Sequence, residues 1–262
     1  MLLAIDVGNT QTVLGLFDGE RLVEHWRVAT VPSRSADELG LLVDGLLSAS
    51  HHEARVDGIA CCSTVPSALR EMRTMCERWF HSVPLVVVGP GVRTGVPVLY
   101  DNPKEVGADR IVNTLAAFTQ YGGPAVVVDF GTSTNFDVVS ARGEFLGGVL
   151  APGIEISVDA LASRAAQLMK VQLVRPRAVI GKNTVESLQS GIIYGFAAQV
   201  DGIVERITAT LGKATVIATG GLASVVLEEC RTIDLHDPWL TLIGLRLVFE
   251  RNAAELVDGQ PL

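Results

Sequence analysis

Two short loops constrain this chain more than any other feature, because they repeat. Asp6-Val7-Gly8-Asn9-Thr10 follows the apolar run Leu2-Leu3-Ala4-Ile5, and Asp129-Phe130-Gly131-Thr132 follows Ala125-Val126-Val127-Val128. Each reads as a buried strand ending in a carboxylate, a glycine and a hydroxyl. Glycine lets the backbone approach a ligand closely. Thr and Asn offer donors for phosphate oxygens, and Asp holds a cation or its water shell. One glycine after a strand is usually only a turn. Two copies facing each other make a phosphate clamp.

The surroundings of the loops match as well. A strand from Thr12 to Phe17, the turn Asp18-Gly19 and a strand from Arg21 to Arg27 follow the first loop. A strand from Asn135 to Ser140, the turn Arg142-Gly143 and a strand from Glu144 towards Leu150 follow the second. Asp-Gly between extended runs is a strong hairpin signal and Arg-Gly a weaker one. The copies lie nearly half of the 262-residue chain apart. A strand–loop–hairpin unit has been duplicated.

Composition excludes several classes. At 262 residues the chain is at the size where one core tends to split into two. It is 48% hydrophobic and 5% aromatic, with a mean hydropathy of +0.36, as in an aliphatic α/β protein. No apolar run approaches the ~18 residues that cross a bilayer. The start, Met1-Leu2-Leu3-Ala4-Ile5-Asp6, lacks a basic region and carries a carboxylate too early for a signal peptide. A net charge of −8 argues against sequence-independent nucleic-acid binding. Cys61, Cys62, Cys76 and Cys230 show no metal-ligand spacing and read as buried thiols of a reducing cytoplasm. Cys61 and Cys62 sit in a β-like run and should point to opposite faces. The histidines, the His51-His52 pair included, show no ligand spacing and read as solvent-facing.

Between the copies, Ser35-Ala36-Asp37-Glu38 has capping-box spacing and opens a helix with Leu39, Leu42, Val43, Leu46 and Leu47 on its apolar face. Residues 56–62 predict a strand, 67–80 a helix, and 85–88 a buried strand stopped by Gly89-Pro90-Gly91. A loop carrying Tyr100-Asp101-Asn102-Pro103 precedes a helix over 107–120. Gly122-Gly123-Pro124 marks the boundary between domains 1–122 and 123–262, with the last helix able to pack back on the first half. The second half predicts a helix to about Met169, a long amphipathic helix over 184–211, a strand over 215–219, and a helix to Cys230. A last helix is opened by Asp237-Pro238 as cap and first residue. Each half reads βββ-α-β-α, with one extra helix in the second.

Several polar residues carry two readings. Asp109, at a helix start, serves as a first-turn carboxylate worth about 0.3–1 kcal/mol or as the proton acceptor for a hydroxyl nucleophile. Arg110 pairs with a substrate carboxylate or phosphate, or else makes a surface ion pair. Asp6 and Asp129 either cap turns or handle cations, and their recurrence after matching strands favours cations. Asp6 suits a water-mediated Mg²⁺; a carboxylate with carbonyls around Asp129 suits a larger, less charged ion. Tyr100 packs over a turn or touches a ligand. Thr184 caps the long helix or touches a ligand. Gly220-Gly221 ends a strand or lets a base lie against the backbone.

Two βββαβα halves with these loops resemble the actin, heat-shock ATPase and sugar-kinase superfamily. Within it the chain is similar, over essentially its whole length, to type III pantothenate kinases. The likeness rests on Asp6-Val7-Gly8-Asn9-Thr10, Tyr100 with Asn102-Pro103, Gly107-Ala108-Asp109-Arg110, and Val128-Asp129-Phe130-Gly131-Thr132. Gly148-Val149-Leu150-Ala151-Pro152-Gly153, Asn183-Thr184 with Ser190-Gly191, and Thr219-Gly220-Gly221 complete it. The resemblance implies two duplicated ribonuclease H-like (actin-like) α/β domains with an ATP cleft between them. It also implies ATP-dependent phosphorylation of pantothenate to 4'-phosphopantothenate, the first step towards coenzyme A. Carried across by position, Asp109 is the expected base. Asp6, Val7, Gly8, Asn9, Thr10, Gln11, Thr12, Val13 and Thr132 are the expected ATP contacts. Tyr100, Gly107, Ala108, Asp109, Arg110 and Thr184 are expected to bind pantothenate, and Asp129 a monovalent cation, K⁺ or NH₄⁺, beside the Mg²⁺ that accompanies ATP.

A homodimer is implied too, with the pantothenate pocket near the subunit interface. The nearly charge-free stretch Ser187 to Val200, with Gly191 and Gly195, is the expected contact face. The second loop departs from its relatives in one place: Asn135 ends Gly131-Thr132-Ser133-Thr134-Asn135, where similar proteins commonly end Gly-Thr-Ala-Thr-Thr. A regulatory or assembly ATPase of the same superfamily, and a phosphatase, are the alternatives; Gly107-Ala108-Asp109-Arg110 favours the kinase, since a regulator needs no base. An aspartic protease is excluded by order, because its hydroxyl stands between Asp and Gly.

Overall fold

The computed structural model describes residues 1–50, 55–164 and 171–257. The His51-His52 pair and the end of the helix expected to reach Met169 lie outside them. In chain order the first elements are β1 (Leu2–Val7), β2 (Gln11–Asp18), β3 (Arg21–Ala29), α1 (Ala36–Ala49) and β4 (Gly58–Ser63). Next come α2 (Pro66–Trp79), β5 (Leu85–Val87), α3 (Ala108–Tyr121), β6 (Ala125–Phe130), β7 (Ser133–Val139) and β8 (Phe145–Pro152). The chain continues through α4 (Ile154–Arg164), α5 (Thr184–Leu211), β9 (Thr215–Thr219), α6 (Ala223–Val226), β10 (Leu235–His236) and α7 (Leu240–Val257). Two compact units result: residues 1–96, 101–116 and 241–262 in one, 97–100 and 117–240 in the other.

The first unit holds a five-stranded sheet in the order β3-β2-β1-β4-β5. β1 pairs antiparallel with β2 and parallel with β4. Its central strands are apolar on both faces because both are covered. Leu3, Ile5, Val7, Leu14, Ile59 and Cys61 pack with Val43 of α1 and Met72, Met75 and Cys76 of α2. On α7, Leu242 lies against Gly15 and Phe249 against Gly58. The edge strand β3 alternates instead, with Trp26 and Val28 turned to the core and His25 and Arg27 exposed. The Ser35 capping box forms as expected: Ser35 Oγ accepts from Glu38 N, and the Glu38 carboxylate accepts from Ser35 N at 2.8 Å.

The second unit repeats the sheet as β10-β9-β6-β7-β8. β6 pairs antiparallel with β7 and parallel with β9, as β1 does with its neighbours. Val126, Val128, Phe130 and Phe136 pack with Ile192, Ile193, Val200 and Val204 of α5. The duplicated unit read from the two loops is therefore a duplicated sheet.

Three local expectations need correction. Asn183, not Thr184, caps α5: its Oδ1 accepts from Glu186 N at 2.9 Å, which puts Glu186 at the capping-box position. α7 begins at Leu240, because Asp237 Oδ1 closes a turn by accepting from Trp239 N at 3.0 Å. The helix expected to run to Cys230 is four residues of α6 followed by a 3₁₀ turn, Leu227–Glu229. The two-residue strand β10 gave no sequence signal.

Candidate active site

In the first unit the parallel register sets Asp6 beside Cys62, and the antiparallel register sets it beside Val13. The loop that follows closes with Gly8 N donating to Gln11 O at 3.0 Å. Asn9, Thr10 and Gln11 are exposed, whereas Thr12 is buried and its hydroxyl lies 2.9 Å from that of Thr30. Residues 6–13, expected to meet ATP, thus form one continuous strand–loop–strand whose tip is open to solvent; Thr132, the other expected contact, lies in the second unit.

Ala108, Asp109 and Arg110 open α3, directly after Gly107, in the same unit. Asp109 Oδ1 accepts from Arg110 N at 2.9 Å, so the first-turn role is real. A Cβ on Gly107 would collide with that carboxylate, which explains the glycine. Arg110 is only 9% exposed, so it is not the surface ion pair that the sequence allowed.

The fold brings Asp6 and Asp109 together across more than 100 residues of sequence. Burial first, and then the Asp109 charge, raises the Asp6 pKa to about 7; a Cys62 hydrogen bond and Arg27 pull it back. Burial likewise raises the Asp109 pKa, against the Arg110 amide and guanidinium. Two carboxylates whose charges oppose each other are a frequent mark of a functional site.

The second unit contains Tyr100, Asp129, Thr132 and Thr184. Its loop is one residue shorter, closed by Gly131 N donating to Ser133 O at 3.0 Å. Asp129 stands beside Asn135 on one side and Thr219 on the other. Gly220 (φ +92°) leaves no room for a Cβ between itself and Asp129, and Gly153 is pressed against the carbonyls of Gly131 and Thr132. Tyr100 tilts against Phe145 with ring centroids 6.1 Å apart and covers Gly147. Thr184 is exposed in the first turn of α5.

Sequence reasoning passed over Cys62, Ser63 and Thr64. Cys62 Sγ donates to Asp6 Oδ1 at 3.3 Å, Ser63 Oγ to Val7 O at 3.1 Å, and Asn9 Nδ2 to Thr64 Oγ1 at 3.4 Å. Three successive donor or acceptor side chains at the end of a buried strand were the available signal.

Among the described residues no three His, Cys, Asp or Glu side chains gather into a metal cluster. The available oxygen donors are single carboxylates beside backbone carbonyls, the hard set that Mg²⁺ or K⁺ accepts when phosphate and water complete the shell.

A sheet order repeated in two units, each with a glycine loop after its first strand, defines the fold of actin-like ATPases and sugar kinases. A ROK hexokinase from Thermus thermophilus shares it, with a TM-score of 0.52 at 16% identity, over 94% of this chain and 97% of that one. The chain itself belongs to the type III pantothenate kinase family, whose family model matches residues 2–206. A type III pantothenate kinase of Acidothermus cellulolyticus is 74% identical over 256 residues, 97% of this chain and all of the relative. That of Frankia alni is 69% identical over 253 residues, 96% of this chain and all of the relative.

Proposed function

We propose that this chain transfers the γ-phosphoryl group of ATP to the primary hydroxyl of pantothenate, the first step towards coenzyme A. The reading is carried by the family match over residues 2–206, and fits the presence in one unit of Asp6, before the first glycine loop, and Asp109, at the start of α3. Asp109 accepts the proton of the acceptor hydroxyl. Burial raises its pKa above the ordinary carboxylate value, which makes the ionised group a stronger proton acceptor. Residues 6–13 and Thr132 bind ATP, and Tyr100, residues 107–110 and Thr184 bind pantothenate. Mg²⁺ at Asp6, through water, and K⁺ or NH₄⁺ at Asp129 supply charge neutralisation for the phosphates when bound, the main requirement of a loose phosphoryl-transfer transition state.

Two copies of the chain form the working unit. Leu150, Ile156, Val179, Ile180 and Val185 are exposed on the second unit, and α5 turns Gly191 and Gly195 outward while Ile192, Ile193, Ala197 and Val200 fill its core. The apolar side of the stretch 187–200 is thus taken by its own unit, which leaves the glycine side and the exposed aliphatics for a partner. A cytoplasmic setting is supported by four thiols that are all free. No helix among the described residues is long and apolar enough to cross a membrane.

ADP release tests the reading. It should require ATP, Mg²⁺ and pantothenate together, and should be much faster in K⁺ or NH₄⁺ than in Na⁺. Release that ignores pantothenate would favour a regulatory ATPase. Equal rates in K⁺ and Na⁺ would remove the cation role of Asp129, and a fully active species of ~28 kDa in sedimentation would remove the dimer.

A further inference from the structure

We propose that Cys62 is a positioning residue for the nucleotide loop, its thiol holding the Asp6 carboxylate in the setting in which that loop takes ATP. The parallel pairing of β1 with β4 puts Asp6 and Cys62 side by side on one face, and the thiol donates to Asp6 Oδ1 at 3.3 Å. Cys62 is fully buried. Its neighbour Cys61 points the other way, into the apolar core with Met72 and Cys76, where a thiol is simply a small hydrophobe. Cys62 is different: what it meets is a carboxylate.

The next two residues act in the same direction. Ser63 Oγ and Thr64 N both donate to Val7 O, at 3.1 and 3.3 Å, and Thr64 Oγ1 accepts from Asn9. The end of β4 therefore braces the loop at Asp6, Val7 and Asn9. Among these contacts the thiol alone acts on a charged group. A donor fixed in the sheet beside Asp6 limits the positions its carboxylate can take, because the hydrogen bond is made only where Oδ1 reaches the thiol. The duplicated unit supplies an internal parallel: at the same register in the second sheet, Thr219, another donor-bearing residue, stands beside Asp129.

The proposal rests on residues 6–13 as nucleotide contacts and is independent of pantothenate as the acceptor. Calorimetric titration with Mg·ATP, without acceptor, tests it in wild type, Cys62→Ala, Cys62→Val and Cys62→Ser. Val fills the space left by the sulfur, with one methyl more, and lacks the donor, so Ala and Val remove the donor with packing errors of opposite sign. Ala and Val are expected to weaken the dissociation constant about 5–10-fold, the size of one ordinary net hydrogen bond, as befits a weak thiol donor; Ser restores it to within about twofold. In an Asp6→Asn background Cys62→Ala should add less than about twofold, because coupled residues do not contribute additively. Unchanged binding in both Ala and Val, or the same loss on top of Asp6→Asn, would overturn the proposal. Mg·ATP binding by a wild type that leaves pantothenate untouched would sink only the acceptor assignment. No Mg·ATP binding at all would end the nucleotide role of the loop, and this proposal with it.

Discussion

The two glycine loops follow strands of the same rank in sheets of the same order, yet they are supported differently. The first is braced by side chains, Cys62, Ser63 and Thr64, and looks onto a second carboxylate, Asp109. The second is one residue shorter and is backed by glycines: Gly220 lies against Asp129, and Gly153 against the carbonyls of Gly131 and Thr132. Side-chain support is adjustable and can be removed one hydrogen bond at a time. Backbone pressed on backbone has no such tolerance. The sheet is repeated, whereas the support of the loop is not: side-chain hydrogen bonds hold the first and close backbone contacts the second.

Four measurements sharpen or break that comparison. Asp109→Asn should show the largest effect, a fall in turnover of roughly 10²–10⁴ with ATP binding largely kept, the usual range for losing a general base. Wild-type turnover in that variant would leave Asp109 with its first-turn hydrogen bond alone and erase the functional asymmetry between the units. Next, Gly220→Ala should cost about 3 kcal/mol or more in urea unfolding, because the new Cβ meets Asp129 Oδ1 and Phe130 N at a positive φ. A loss under ~1 kcal/mol would mean that the second seat yields as readily as the first.

The third measurement concerns pH. The folded-state pKa of Asp6 is raised to about 7 from an ordinary value near 3.8, so ionisation is harder in the folded protein than in the unfolded one. Stability is consequently lost as pH rises from about 4 to about 7, and Asp6→Asn recovers it. Without nucleotide, the variant should match wild type near pH 4 and exceed it by up to about 4 kcal/mol at pH 8, a shift of several degrees in Tm. A gain that does not vary with pH would show that neither burial nor the Asp109 charge shifts Asp6 in the folded protein. Smallest is Ser63→Ala, one residue after Cys62 as Gly220 is one residue after Thr219 in the second copy. It loses hydrogen bonds to Val7 O and from Val65 N and should cost about 1 kcal/mol. A cost equal to that of Gly220→Ala would make the two modes of support equivalent.

Much of this was legible in the residues. The duplicated loops, the hairpins, the Ser35 capping box and the bounds of α5 and β9 follow from patterns within a few residues of each other, and such patterns act through local geometry. The α5 cap was missed because Asn and Thr are both good caps, and adjacent candidates are separated only by which one turns extended. The start of α7 was missed because Asp-Pro opens turns as readily as helices.

What the sequence by itself determined was the repeated strand–loop–hairpin, the residue types at each loop and the family these motifs match. What only the tertiary structure decided was which of those residues meet. The Asp109 charge acts on Asp6, Cys62 rather than Cys61 reaches the loop carboxylate, and Gly220 closes on Asp129. Each of these pairs is brought together by strand pairing or helix packing between segments 50 to more than 100 residues apart, distances over which side-chain preference carries no information until the sheet has formed.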